Sequence, residues 1–189
     1  SVSHMFLATL ETSLFVVGGI SAWYMLQNRH QAFFARSFKI ALAATLLVAP
    51  LQIYVGHLSA EQVYRWQPSK LAAMEAQWQT IPAGQSASWS LLAWPNNRTE
   101  ENEWEVAIPQ ALGYLLELKP ELSEPVLGLK EWQPQDRPRL VGLIYYSFRT
   151  MIVIGVLLAG LMGGSMVYWL LGRLSFEKIA QQRRLLWVW

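Results

Sequence analysis

The chain has 189 residues, 53% of them hydrophobic and only 15% charged, a balance that suits a membrane protein better than a soluble domain. A net charge of +2, with no Arg/Lys-rich stripe carrying interleaved aromatics, argues against a nucleic-acid partner. The absence of cysteine excludes disulfide scaffolding, iron–sulfur clusters, thiolate zinc sites and covalent c-type haem attachment, and three histidines leave room only for sparse metal chemistry.

Residues 5–26 run for 22 positions with almost no charge, the length of a helix crossing a bilayer at about 1.5 Å per residue. Gly18 and Gly19 permit close packing, and Trp23 and Tyr24 suit a membrane interface. Glu11 is the exception and must be protonated, paired or turned to a polar interior. Residues 27–39 carry Arg29, Arg36 and Lys39 and no acid, so they read as a connector. Residues 40–58 read as a second span, kinked at Pro50 and ending near His57.

A polar excursion follows. Residues 59–139 hold eleven acidic and seven basic side chains, a net of −4, and the remainder of the chain carries +6. Within it, RWQPSKLAAMEAQW (65–78) predicts a short amphipathic helix begun by Pro68, with Leu71, Met74 and Trp78 on one side and Lys70 and Glu75 offset. Residues 88–94 and 104–108 flank an Asn-rich acidic turn and predict a small hairpin. Pro109 then starts a second short helix through Leu118, burying Ala111, Leu112, Leu115 and Leu116. Pro120, Pro125, Gly128, Pro134 and Pro138 punctuate a covering loop.

Residues 140–172 are the third apolar segment, interrupted only by Arg149, and Arg173, Lys178, Arg183 and Arg184 follow it. The closing LLWVW reads as the start of a further apolar segment, so the chain reads as an internal piece of a larger polytopic protein. The fold expected is an all-α polytopic membrane protein, with three transmembrane helices of a larger bundle and a small outer loop domain. Its parts are a transmembrane helix (1–27), a cytoplasmic connector (28–39), a second transmembrane helix (40–58), the loop domain (59–139), a third transmembrane helix (140–172), and a cytoplasmic connector with the start of another helix (173–189). The two Arg/Lys-rich connectors fall on one side, which the positive-inside bias makes cytoplasmic, and the acidic excursion on the other.

Two constellations carry chemistry. His4 lies 25 residues before Arg29, roughly 38 Å of helix, and Met151 lies 22 residues before Arg173, roughly 33 Å. Both stand near the outer ends of their spans, where an imidazole and a thioether facing each other could hold a low-spin haem iron. On spacing alone the plainer reading stays open: an interface histidine and a core-filling methionine, with Met5, Met25, Met162 and Met166 also available. Arg149, two residues before Met151, could meet haem propionates or an acidic partner. Lys70 and Glu75 are five apart, on neighbouring helix faces. They are either a solvated face or a cation and a carboxylate bracketing a small polar headgroup, with Trp66 or Trp78 beside its ring.

The strings GISAWYML (19–26), QPSKLAAMEAQW (67–78), IPQALGYL (108–115), GLKEW (128–132) and FRTM (148–151), in this order along nearly the whole chain, resemble subunit I of the cytochrome bd-type ubiquinol oxidases, in the short-quinol-loop, cyanide-insensitive version. The resemblance implies that residues 59–139 are a periplasmic quinol-binding loop on the bacterial inner membrane, with Lys70 and Glu75 in quinol oxidation. It also implies that His4 and Met151 ligate low-spin haem b, that Arg149 supports that haem, and that high-spin haem b and haem d sit elsewhere in the complete subunit. The implied activity is electrogenic oxidation of ubiquinol with reduction of dioxygen to water, and the implied partners are subunit II, a small single-span accessory subunit, quinol and the lipid bilayer. Glu11 stands where the family pattern has a neutral residue, and His57 where it usually has an aspartate. The alternative, from a different class, is a haem-free membrane scaffold or transporter segment whose outer domain binds a lipid or a protein.

Overall fold

The computed structural model describes residues 2–173, 175 and 178–189; Ser1 of the first expected span, and Leu174, Phe176 and Glu177 of the last expected connector, lie outside the described residues. Among the described residues, three helices are long and apolar enough to cross a membrane. They are α1 (Val2–Leu26), α2 (Gln31–Trp66) and, after the polar region, α5 (Val141–Leu170).

The stops of α1 and α2 follow from local chemistry. After α1, Asn28 takes a left-handed conformation at φ 58°, and the N–H groups of Asn28 and Arg29 reach back to Met25 O and Tyr24 O, both at 3.0 Å, closing the helix in a Schellman turn. The next helix then begins at Gln31 and runs for 36 residues. It is longer than the 40–58 expected from hydropathy, because residues 31–39 carry charge but no Gly or Pro to stop a helix. At about 1.5 Å per residue it is roughly 54 Å long, well beyond a bilayer core of about 30 Å. It ends at Trp66 because Gln67 precedes Pro68 and is driven out of the helical region, to φ −138° and ψ 57°. Pro68, which needs no N–H partner in a first turn, then starts α3 (Pro68–Met74).

The chain divides into two compact units, Ser1–Gly56 with Ile154–Trp189, and His57–Val153. In the first, Ala22, Met25, Phe38, Leu42, Met162, Ile179 and Leu186 are buried together. Its final helix, Arg183–Val188, leads into Trp189, whose ring stacks on Phe15 at 5.2 Å and whose indole N–H donates to Ser165 Oγ at 3.0 Å. Gly18 makes room for that ring: a Cβ there would stand 2.6 Å from it.

The second unit contains α3, an antiparallel hairpin of β1 (Trp89–Asn96) and β2 (Glu101–Ile108), and α4 (Ala111–Glu117). Ser90 and Ala93 of β1 are both buried although three residues apart, a spacing that plain alternation would put on opposite faces. A register shift between Ser90 and Leu92 turns both inward. β2 is exposed along both faces, with only Asn102 partly covered. In α4 the buried residues are Leu112, Gly113 and Leu116, whereas Leu115, expected inside, is 46% exposed. One core gathers Tyr64, Leu71, Ala87, Leu112, Leu116, Leu122 and Val126. A second joins Ala72, Ala73, Trp78, Leu129 and Val141, and a third joins Ala76, Ala93 and Tyr145.

Candidate functional site

The site is built in the second unit from one face each of α3 and α5. Along α5 the buried residues Val141, Tyr145 and Arg149 recur every four positions and form a single stripe. Ala72 and Ala73 of α3 pack with Val141, and Ala76, just past the end of α3, packs with Tyr145. α3 closes in a second Schellman turn, with Ala76 left-handed at φ 49° and Gln77 N–H donating to Ala72 O at 2.8 Å. Glu75 caps the helix just before that reversal, and its side chain is carried inward with the chain.

There Arg149 Nη2 donates to Glu75 Oε2 at 2.6 Å, with both side chains almost fully buried. The guanidinium lies against three rings, 5.0 Å from the Trp89 centroid, 4.7 Å from Tyr145 and 5.4 Å from Phe148. Tyr145 is held in turn by donation from its hydroxyl to Ser90 O at 3.3 Å. Burial pushes the Glu75 carboxyl above the usual carboxylate range, opposed by its bond to Arg149 and that cation's charge. Nε and Nη1 of Arg149 are buried and make no hydrogen bond among the described residues. The arrangement can hold a carboxyl poised to exchange a proton, screened from bulk water and set beside a fixed cation.

The other expected residues lie as follows. Lys70 is exposed on α3, and no ion pair joins it to Glu75 among the described residues. Trp66 is 81% exposed, whereas Trp78 is buried and its indole N–H donates to Asn102 Oδ1 at 3.0 Å. Arg149 has found the acidic partner that its position suggested. Trp89 and Tyr145 escaped the sequence reading; Tyr145 stands one turn before Arg149 on the same stripe, but no sequence signal marks Trp89. An open groove of about 500 Å³, lined by Trp94, Arg98, Glu103, Leu140 and Leu143 among others, includes neither Glu75 nor Arg149.

The haem expectation requires correction. His4 lies on α1 in the first unit, its imidazole 3.4 Å from where a Cβ on Gly56 would stand, and Met151 lies in the second unit, 49% exposed and off the buried stripe of α5. Among the described residues no three His, Cys, Asp or Glu side chains come together to hold a metal ion, and the chain has no cysteine. The structure therefore gives no support for a low-spin haem b held in this chain by His4 and Met151, or for high-spin haem b or haem d here.

A second polar cluster supports the unit. Glu117 accepts from Ser123 N–H at 2.8 Å and Tyr64 O–H at 3.2 Å and pairs with Lys119 at 3.1 Å, while Tyr64 O–H also reaches Glu124 O at 2.8 Å. Partial burial raises the Glu117 carboxyl, but the Ser123, Lys119 and Tyr64 bonds outweigh it and bring it down to about 2. With the folded-state value below the ordinary 4.5, its stabilisation is complete above pH 4.5 and lost as the pH falls toward about 2. Glu117→Gln is thus expected to flatten the decline of the thermal midpoint below pH 4.5. A decline as steep as in the parent protein would refute this.

Residues 1–189 match the family described as cytochrome bd terminal oxidase subunit I. The chain is similar to cytochrome bd-II ubiquinol oxidase subunit 1 of Escherichia coli K12, 38% identical over 137 residues, which cover 72% of this chain and 26% of the relative. It is also similar to cytochrome bd ubiquinol oxidase subunit 1 of Bacillus subtilis 168, 31% identical over 163 residues, with 82% of this chain and 34% of the relative covered. Among solved structures, bd oxidase from Geobacillus thermodenitrificans superposes with a TM-score of 0.74 at 26% identity, covering 99% of this chain and 43% of that one. The chain thus spans about a quarter to a third of these curated relatives.

Proposed function

Because the chain belongs to the cytochrome bd terminal oxidase subunit I family, a family of multi-pass membrane quinol oxidases, we propose that residues 59–139 are the quinol-handling part of a larger subunit. They face the periplasm of a bacterial inner membrane, the side opposite the Arg/Lys-rich connectors. Glu75 accepts a proton from the quinol, and Lys70 holds or polarises the headgroup from its exposed position. The two electrons pass on within the complete oxidase toward dioxygen. Subunit II and a small single-span subunit complete the assembly.

The observation that carries this reading is the buried Glu75 carboxyl, held at 2.6 Å by Arg149 within an aromatic shell. A carboxyl raised by burial is a better proton acceptor near neutral pH than a solvated one, and the adjacent guanidinium keeps it available in ionised form. In the full-length complex, Glu75→Gln is expected to lower kcat for quinol-dependent oxygen uptake at least about 100-fold. Lys70→Ala is expected to raise the quinol KM about tenfold, the scale of one hydrogen bond from a charged group. Full retention of uptake in both variants would overturn the assignment.

A further inference from the structure

The groove beside the hairpin turn brings together a cation, a carboxylate and two bare leucines. It encloses about 500 Å³ and is lined by Trp94, Arg98, Glu103, Leu140 and Leu143 among others. Its walls are tied to each other. Arg137 Nη1 donates to Glu100 Oε1 at 2.5 Å and Asn97 Nδ2 to Arg139 O at 2.7 Å, so the turn is fastened to the segment that enters α5. Trp94 is braced against Tyr146 of α5, the ring centroids 6.2 Å apart. Glu103 Oε1 accepts from the Asn96 amide at 2.7 Å. Among the described residues neither Arg98 nor Glu103 forms an ion pair, with each other or with a third group. Two opposite charges that share a groove without joining suit a ligand that carries both signs.

The depth of the groove narrows the choice. α5 has 30 residues and is about 45 Å long, the thickness of a bilayer with both headgroup layers. Its first turn, which carries Leu143, therefore stands at headgroup level. Leu140 and Leu143 are 62% and 64% exposed and Trp94 is 54% exposed, an apolar flank with an indole at the interface. We propose that the groove seats one phospholipid whose headgroup carries a phosphate and a primary ammonium, as in phosphatidylethanolamine. Arg98 holds the phosphate, Glu103 takes the ammonium, and the acyl chains leave past Leu140 and Leu143. A purely anionic headgroup would meet the Glu103 carboxylate, and a trimethylated ammonium has no N–H to give it. This site is separate from Glu75 and Arg149 and does not depend on their role.

The test is photolabelling of the full-length complex in phosphatidylcholine vesicles, with a phosphatidylethanolamine that carries a diazirine near its glycerol. The label is expected on the peptides that hold residues 94–103 and 140–143, and unlabelled phosphatidylethanolamine should compete it away. Phosphatidylglycerol and inorganic phosphate should not. Arg98→Gln is expected to lower the labelling about tenfold, the scale of one hydrogen bond between charged groups, and Arg98→Lys to keep most of it. Glu103→Gln is expected to let phosphatidylglycerol compete as well as phosphatidylethanolamine. Thermal midpoints equal to the parent's show that the variants are folded, and the competition is read on the parent complex in any case. Labelling that misses these peptides, or that persists in Arg98→Gln, overturns the proposal. Equal competition by all lipids would reduce the groove to ordinary bilayer contact, and displacement by phosphate alone would reduce it to an anion site; either also overturns it.

Discussion

Arg149→Leu is expected to destabilise the protein by about 3–5 kcal/mol, because it strands Glu75 in a buried site with no compensating cation. Glu75 is 5% exposed and Arg149 6%. The guanidinium cannot swing out to water without leaving the Trp89, Tyr145 and Phe148 rings that lie against it. Glu75 has one escape, which is to take up a proton and hold it to higher pH than in the parent protein. Removing both charges in Glu75→Gln/Arg149→Leu should therefore recover much of the stability lost by the single Arg149 variant. Arg149→Lys should fall between, since an ammonium keeps the charge but lacks the planar face that lies against Trp89 and Tyr145. Thermal midpoints of the detergent-purified complex measure all of this. Costs for the two single variants that simply add in the double variant would show that the pair is not coupled.

Gly128→Ala is expected to be at least as damaging, through geometry alone. A Cβ at position 128 would stand 2.3 Å from the Gln79 carbonyl carbon and 2.5 Å from Trp78 O. Those are backbone atoms and cannot rotate aside. The strands of the covering loop are clasped at the same place: Gly128 N–H donates to Thr80 Oγ1 at 3.0 Å, Leu129 N–H to Gln77 O at 2.8 Å, and Lys130 N–H to Trp78 O at 3.1 Å. An added methyl must push this seam apart and break at least one of those bonds, so the expected loss is about 3 kcal/mol or more. Limited proteolysis should then cut between residues 57 and 153 far faster than in the parent protein. Unchanged cleavage would show that the seam yields at no cost.

Much of this architecture was legible because it rests on local signals. Three long apolar runs mark three long helices, Pro68 marks the start of α3, and the Asn-rich acidic turn marks the hairpin. The length of α2 was hidden because Arg36 and Lys39 look like loop residues, yet charge alone does not end a helix. Leu115 was misplaced because α4 buries the narrow face of Leu112, Gly113 and Leu116, and Leu115 lies just off it. At the site, Lys70, Glu75 and Arg149 stood out by residue type. Their pairing did not, since Glu75 and Arg149 are 74 residues apart and no periodicity spans that distance. The register shift that helps seat Trp89's strand is likewise a three-dimensional fact with no sequence signature. The haem ligation came from the matching depths of His4 and Met151 in their spans and from the resemblance, and the structure supplied nothing to hold it up.

β2 shows both faces to its surroundings and has no second strand beside it among the described residues. Such a bare border is a template on which any extended polypeptide could add itself. Its eight residues include Glu101, Glu103 and Glu105, so another copy of the same strand would arrive carrying the same negative charge. That repulsion reaches only about 8 Å at physiological salt, yet clumping of newly made chains begins at closer range, and there the three glutamates keep neighbouring hairpins apart.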